Sequence, residues 1–139
     1  MAETAPKGQN NVSSPQSRLK KFRILVVDDD LNTREMLADI LRFYGAEVRL
    51  AGSAAEARRV YGLWTPQVVI SDLGMPDEDG YEFIRSIRVF PGRSTTKAIA
   101  LTGYVSEKDR QRALTAGYDH FAVKPVDLES LFAIISSAT

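Results

Sequence analysis

Gln67-Val68-Val69-Ile70-Ser71-Asp72-Leu73-Gly74-Met75-Pro76 is the stretch from which the fold can be read. Val68, Val69 and Ile70 form an unbroken β-branched run. That is the pattern of a strand buried on both faces, as in a parallel sheet covered by helices. An acid follows, and Gly74 and Pro76 halt the strand almost at once. Asp72 is therefore expected at the carboxyl end of a central strand, on the rim where open α/β sheets bind ligands. A merely solvated acid at a strand end reads the same way in isolation. The decision rests on whether other segments deliver matching groups to that rim.

Working outward, Arg23-Ile24-Leu25-Val26-Val27 repeats the buried-strand pattern and ends in Asp28-Asp29-Asp30. Met36, Leu37, Ile40, Leu41 and Tyr44 then fall at helical spacing, with Gly45 as the stop. Glu47-Val48-Arg49-Leu50 alternates polar and apolar, as an edge strand does. Ser53 and Glu56 form a capping box for a helix that turns Ala57, Val60, Tyr61 and Trp64 inward, Trp64 as a packing residue. Beyond Asp72, Asp79 and Glu82 cap a helix lined by Phe83, Ile84, Ile87 and Phe90 and closed by Pro91-Gly92. Ala98-Ile99-Ala100-Leu101 is a fourth strand ending at Thr102-Gly103. Ser106 and Asp109 cap a helix that stops at Gly117. His120-Phe121-Ala122-Val123 is a short fifth strand ending at Lys124-Pro125. Asp127 caps a last helix with Leu128, Leu131, Phe132 and Ile135 inward. Five strands alternating with single helices predict a doubly wound α/β fold, a parallel sheet with helices on both faces.

If the edge-like second strand lies outside the first, the order is 2-1-3-4-5, the flavodoxin-like arrangement. The reversal then falls between the first and third strands. Asp28, Asp29, Asp72, Thr102 and Lys124 all end strands, so all meet on one rim. Clustered carboxylates repel one another unless a cation is present. Mg²⁺ suits them, since it takes oxygen ligands and keeps waters and a phosphate oxygen in its shell. Lys124 adds a point charge and Thr102 a hydroxyl donor. An acid nucleophile, a hard cation, a lysine and a hydroxyl together describe a phosphoryl site.

Composition narrows the classes further. The chain has 139 residues, enough for one domain with a core of its own. Eighteen basic and eighteen acidic side chains cancel, so no net field favours nucleic acid or an anionic membrane. Cysteine is absent and a single histidine is present, which excludes disulfides, thiol chemistry and histidine-rich metal sites. No apolar run has the length of a membrane span or the form of a signal peptide, so a cytoplasmic protein is expected. Residues 1–21 are polar and almost free of large apolar groups, and read as a disordered tail or linker; 22–139 read as the folded domain.

From about Phe22 to Ser136 the chain resembles the receiver domain of two-component response regulators, similar to the chemotaxis regulator and to receivers of hybrid kinases. The resemblance is carried by Ile24-Leu25-Val26-Val27-Asp28-Asp29-Asp30, Ser71-Asp72-Leu73-Gly74-Met75-Pro76 with Asp79-Gly80, Leu101-Thr102-Gly103 and Val123-Lys124-Pro125. It implies that Asp72 accepts a phosphoryl group from a histidine kinase or histidine phosphotransfer protein, and that the domain is not an enzyme in the usual sense. It implies Mg²⁺ on Asp28, Asp29, Asp72 and the Gly74 carbonyl, with Thr102 and Lys124 touching the phosphoryl oxygens. It implies a cis Lys124-Pro125 bond, a switch formed by Thr102 and Phe121, and signalling through the fourth helix, fifth strand and fifth helix. Gly74 and Tyr104 occupy the two positions that tune phosphoryl lifetime, and neither carries an amide or carboxylate.

Other readings compete. The same fold serves as an interaction module if Asp72 is never phosphorylated. An aspartate-nucleophile phosphatase of the haloacid-dehalogenase kind carries its acid on the first strand and needs a cap domain for which the chain has no room. A dinucleotide-binding domain needs a glycine-rich turn where Asp28-Asp29-Asp30 stands. His120 reads as a strand-end residue, Asp77 and Glu78 as a solvated turn, and Arg58-Arg59 as a solvated helix face. The cognate kinase, the output and the oligomeric state leave no signature.

Overall fold

The computed structural model describes residues 17–75, 79–89, 95–103 and 106–137. Ten elements alternate along the chain: β1 (Arg23–Val27), α1 (Leu31–Phe43), β2 (Glu47–Ala51), α2 (Ala54–Trp64), β3 (Val68–Asp72), α3 (Gly80–Arg88), β4 (Lys97–Thr102), α4 (Glu107–Ala116), β5 (His120–Val123) and α5 (Leu128–Ser136). The strands form one parallel sheet in the order β2-β1-β3-β4-β5, as expected. Register brings the rim together: Val27 pairs with Ser71, Asp72 with Leu101, and Thr102 with Val123.

Strand residues alternate between two cores. Leu25, Val27, Val69, Ala98 and Ala100 face α2, α3 and α4, where they meet Tyr61, Phe83, Ile84, Ile87 and Ala113. Ile24, Val26, Val68, Ile70, Ile99 and Leu101 face α1 and α5, against Leu37, Leu41, Leu131, Phe132 and Ile135. Each large side chain so buried contributes roughly 1.5–3 kcal/mol. The two uninterrupted hydrophobic runs are thus explained: every residue in them lies under a helix.

Helix ends follow their sequence signals. Asp30, Ser53, Asp79 and Ser106 each accept a backbone N–H from the residue three positions on. Gly45 and Gly117 adopt φ of 102° and 135° at helix ends, a region open to glycine. The α3–α4 side is locked by Arg88, whose guanidinium donates to the Gly117 and Thr96 carbonyls and to Asp119.

Several expectations differ in detail. Ser17–Lys21, placed in the tail by composition, pack on the domain: Leu19 is fully buried and its N–H donates to the Tyr44 carbonyl at 2.7 Å. Arg18 reaches Glu129 and lies over the Phe132 ring. One well-placed leucine outweighs polar neighbours that stay in water. Met36, expected on the inward face of α1, is 58% exposed, and Ala38 is buried instead. Glu56 returns its bond to the Gly52 N–H, not to that of Ser53. Asp127 precedes α5 with no side-chain bond to a helix N–H; it accepts the Ser130 hydroxyl. Asp77, Glu78, Phe90, Pro91, Gly92 and Tyr104 lie outside the described residues.

Candidate functional site

At the end of β1 the chain must turn into α1, and three aspartates divide the work. The Asp28 N–H still belongs to the sheet, donating to the Ala51 carbonyl at 3.1 Å. The residue is 2% exposed, and its carboxylate accepts the Asp30 N–H at 2.9 Å. Arg34, one turn into α1, donates to the Asp28 carbonyl at 2.8 Å and steadies the corner. Asp30 is turned toward the helix as its cap, and the Thr33 hydroxyl holds its carboxyl below the ordinary range. That leaves Asp28, buried, and Asp29, exposed, at the rim.

Asp72 ends β3 as the sequence predicts. Gly74 donates its N–H to Asp72 Oδ1 at 3.2 Å. Burial pushes the Asp72 carboxyl up; the Gly74 N–H and Lys124 oppose this, while Asp28 and Asp29 add to it. One carboxylate oxygen each from Asp28, Asp29 and Asp72 lie within 4.8 Å of one another. Lys124 Nζ stands 3.1 Å from Asp28 Oδ2 and 3.5 Å from Asp72 Oδ2. Burial works against its charge, but the Asp28 bond and the charges of Asp72 and Asp28 prevail and hold Lys124 above its usual range. The Lys124-Pro125 bond is cis.

Thr102 closes β4 at 3% exposure, and its carbonyl takes the Lys124 N–H at 2.7 Å, which ties the two strand ends together. Thr102 and Gly74 share a cleft of about 260 Å³ with Leu73, Tyr81 and Asp109. A Cβ on Gly74 would meet no atom within 4 Å, so that position opens onto free space. Phe121 sits mid-strand, half-buried against the α2–α4 core. A second cleft of about 390 Å³ runs between α1 and the turn after β5, lined by Met36, Leu37, Lys124, Pro125 and Val126 among others.

The carboxylate set fits a hard divalent cation: three acidic side chains, all oxygen donors, one buried and one facing water. A cation there would offset the mutual repulsion that now falls to Lys124 alone among the described residues. Sequence reasoning missed Arg34, Ser71 and Tyr118 around this site. Arg34 and Tyr118 act on backbone carbonyls, and a carbonyl partner leaves no mark in a sequence.

A doubly wound sheet with an acidic rim and a lysine just past its last strand is the signature of a phosphoryl-handling α/β module. The model of the response regulator receiver domain matches residues 24–136, and the chain belongs to that family. It is 42% identical over 117 residues to an uncharacterized 14.6 kDa protein of Leptolyngbya boryana, covering 84% of this chain and 89% of that one. It is 29% identical to a probable chemotaxis protein CheY of Rhizobium etli, covering 85% and 92%. Among solved structures, chemotaxis protein CheY4 of Vibrio cholerae superposes with a TM-score of 0.80 at 29% identity, covering 85% and 98%. Other relatives are longer: the chain spans 25% of regulatory protein AtoC of Escherichia coli. Receivers are phosphoacceptor signalling modules and not enzymes of the ordinary kind, and they generally bind Mg²⁺ at an acidic site. Among the described residues no helix is long and apolar enough to cross a membrane.

Proposed function

We propose that Asp72 is the phosphoacceptor, loaded from the phosphohistidine of a histidine kinase or histidine phosphotransfer protein. The observation that carries this reading is the Lys124 ammonium set between Asp28 and Asp72, with Asp29 completing the carboxylate group. An Asp72 oxygen attacks phosphorus, the P–N bond breaks, and the imidazole leaves with the bonding pair. Mg²⁺ on Asp28, Asp29, Asp72 and the Gly74 carbonyl would supply charge to the phosphoryl oxygens. Lys124 gives up part of its hold on Asp72 and pairs with a phosphoryl oxygen; the Thr102 hydroxyl donates to another.

That pull on Thr102 is the start of the switch, because β4 and β5 are joined at Lys124 N–H and Phe121 lies on the adjoining strand. Phe121 has no hydroxyl, so its part is one of packing. The cleft beside Lys124, with Leu31 and Met36 more than half exposed on α1, supports docking of the donor there. Gly74 has no side chain to hold a hydrolytic water, and Tyr104 brings neither an amide nor a carboxylate. The phosphoryl group therefore persists, and replacing the pair by Asn and Glu should shorten its half-life.

Incorporation from acetyl phosphate, followed by mass spectrometry, tests the assignment. The wild type should gain one phosphoryl group in Mg²⁺, Asp72→Asn none, and Asp29→Asn should load more slowly at the same Mg²⁺. Label in Asp72→Asn, or an Asp29→Asn rate equal to wild type, would refute it.

A further inference from the structure

Tyr118 lies between α4 and β5, 3% exposed, among the core residues under α3. A tyrosine buried so deeply needs a partner for its hydroxyl. The hydroxyl donates to the Gly80 carbonyl at 2.9 Å, at the first residue of α3. Gly80 in turn donates its own N–H to the Leu73 carbonyl at 2.9 Å. The Leu73 carbonyl and the Gly74 N–H belong to one planar trans peptide, so they point in opposite directions. With the carbonyl turned toward Gly80, the N–H is turned toward Asp72, where it meets Oδ1 at 3.2 Å.

The fit along this path is tight. A Cβ on Gly80 would stand 2.6 Å from the Asp72 carbonyl, 2.8 Å from the Leu73 Cα and 3.0 Å from the Tyr118 hydroxyl. The first residue of α3 is thus pressed against the backbone of the acceptor strand, and only glycine fits between. The Ser71 hydroxyl, one residue before the acceptor, donates to the Asp72 carbonyl at 3.1 Å.

We infer that Tyr118 is a positioning residue for the acceptor: through Gly80 and the Leu73–Gly74 peptide it sets the orientation of the Asp72 carboxylate. It touches neither phosphorus donor nor metal. The inference rests on the reading of Asp72 given above, but the hydrogen-bond path exists in the unphosphorylated chain and can be measured there. Groups that orient the atoms holding a metal or reacting group typically change affinity or rate by about 10–100-fold when removed.

Tyr118→Phe keeps the ring and deletes only the hydroxyl. In the metal-free protein, NMR should show the Gly74 amide proton moving toward a less hydrogen-bonded shift and the Gly80 amide exchanging faster. The Mg²⁺ dissociation constant, titrated by NMR, should rise about tenfold. Loading from acetyl phosphate should slow mainly at saturating donor, since orientation and not donor binding is lost. Unchanged Gly74 and Gly80 amides together with unchanged Mg²⁺ affinity would overturn the inference. If amides and affinity move as expected but the wild type takes no phosphoryl group, the path stands and the phosphoacceptor reading fails. Should Tyr118→Phe not fold, the wild type decides. Mg²⁺ on Asp72 must then slow Gly80 amide exchange by reciprocal coupling, and no change on adding Mg²⁺ refutes the path.

Discussion

Two lysines at the termini of neighbouring strands sit at opposite ends of the sheet and do opposite jobs. Lys124 follows β5 at the carboxyl rim, 30% exposed at its side chain, between the carboxylates of Asp28 and Asp72. Lys97 opens β4 at the other end and is 7% exposed. Its ammonium donates to the carbonyls of Ile134, Ile135 and Ser137 and to the Ser137 hydroxyl, at 2.8–3.2 Å. It thereby closes the end of α5, where free carbonyls concentrate partial negative charge. One lysine faces ionised partners that a ligand can compete for; the other faces dipoles that nothing replaces. Charge on a parallel sheet is available for chemistry only at the rim where loops leave the strand ends open.

The largest expected effect separates the two by rate. Lys124→Met should slow Mg²⁺-dependent loading of Asp72 by about 10²–10³-fold, as loss of one charged donor to a transferring oxyanion does. Lys97→Met should load at the wild-type rate per folded molecule. Quench-flow or timed mass spectrometry on both variants checks this, and equal slowing would erase the distinction.

Stability should order them the other way. Lys97→Met strands several acceptors at the end of α5 in a part-buried setting, and should cost about 2–3 kcal/mol in urea unfolding. A loss under about 0.5 kcal/mol would mean that water satisfies those carbonyls as well as the ammonium does.

Mg²⁺ sharpens the contrast. In Lys124→Met the carboxylates lose their only described side-chain counter-charge, so a cation meets less competition there. Saturating Mg²⁺ should stabilise that variant by about 1 kcal/mol more than it does the wild type, the scale of one screened charge pair at about 4 Å. Lys97→Met should gain no more than the wild type. Chemical unfolding at matched ionic strength, with and without Mg²⁺, reads both.

The two lysines also show how far the sequence carries. Lys124 was legible because it follows a strand pattern and precedes a proline, which puts it on the same rim as Asp28, Asp29 and Asp72. The strand order was legible too, since β2 alone alternates in polarity while β1 and β3 are continuous apolar runs. Lys97 was not legible. A lysine beside a strand reads as a solvated charge, and its partners are three backbone carbonyls and one hydroxyl 37–40 positions away. Leu19 failed for a related reason, because one buried side chain does not change the composition of a polar segment. Periodicity names a helix face but not its edge, which is why Met36 and Ala38 exchanged roles. Tyr118 reads as one more core aromatic, and only the three-dimensional path from its hydroxyl to Gly80 gives it another part.

The smallest expected effect is the pH dependence, and its sign differs between the two lysines. Burial pulls the Lys97 ammonium below the ordinary lysine value of 10.5, with Asp119 opposing. The Lys124 ammonium is held above that value, since Asp28 and Asp72 overcome its burial. Stability rises with pH wherever the unfolded chain binds more protons than the folded one. For Lys97 that window lies between its depressed folded value and 10.5, so this lysine's contribution grows as pH climbs through it. For Lys124 the folded chain is the tighter proton binder; its contribution is full below 10.5 and fades as pH rises through the elevated folded value. Taking each wild-type-minus-variant difference cancels the tyrosines and other lysines that titrate nearby. The gap between wild type and Lys97→Met should widen on going from pH 8 toward pH 10.5. The gap for Lys124→Met should stay level over that range and narrow only above it. A Lys97 gap that shrinks as pH rises would mean that the four oxygens around its ammonium outweigh the burial, and the two lysines would then share one electrostatic sign.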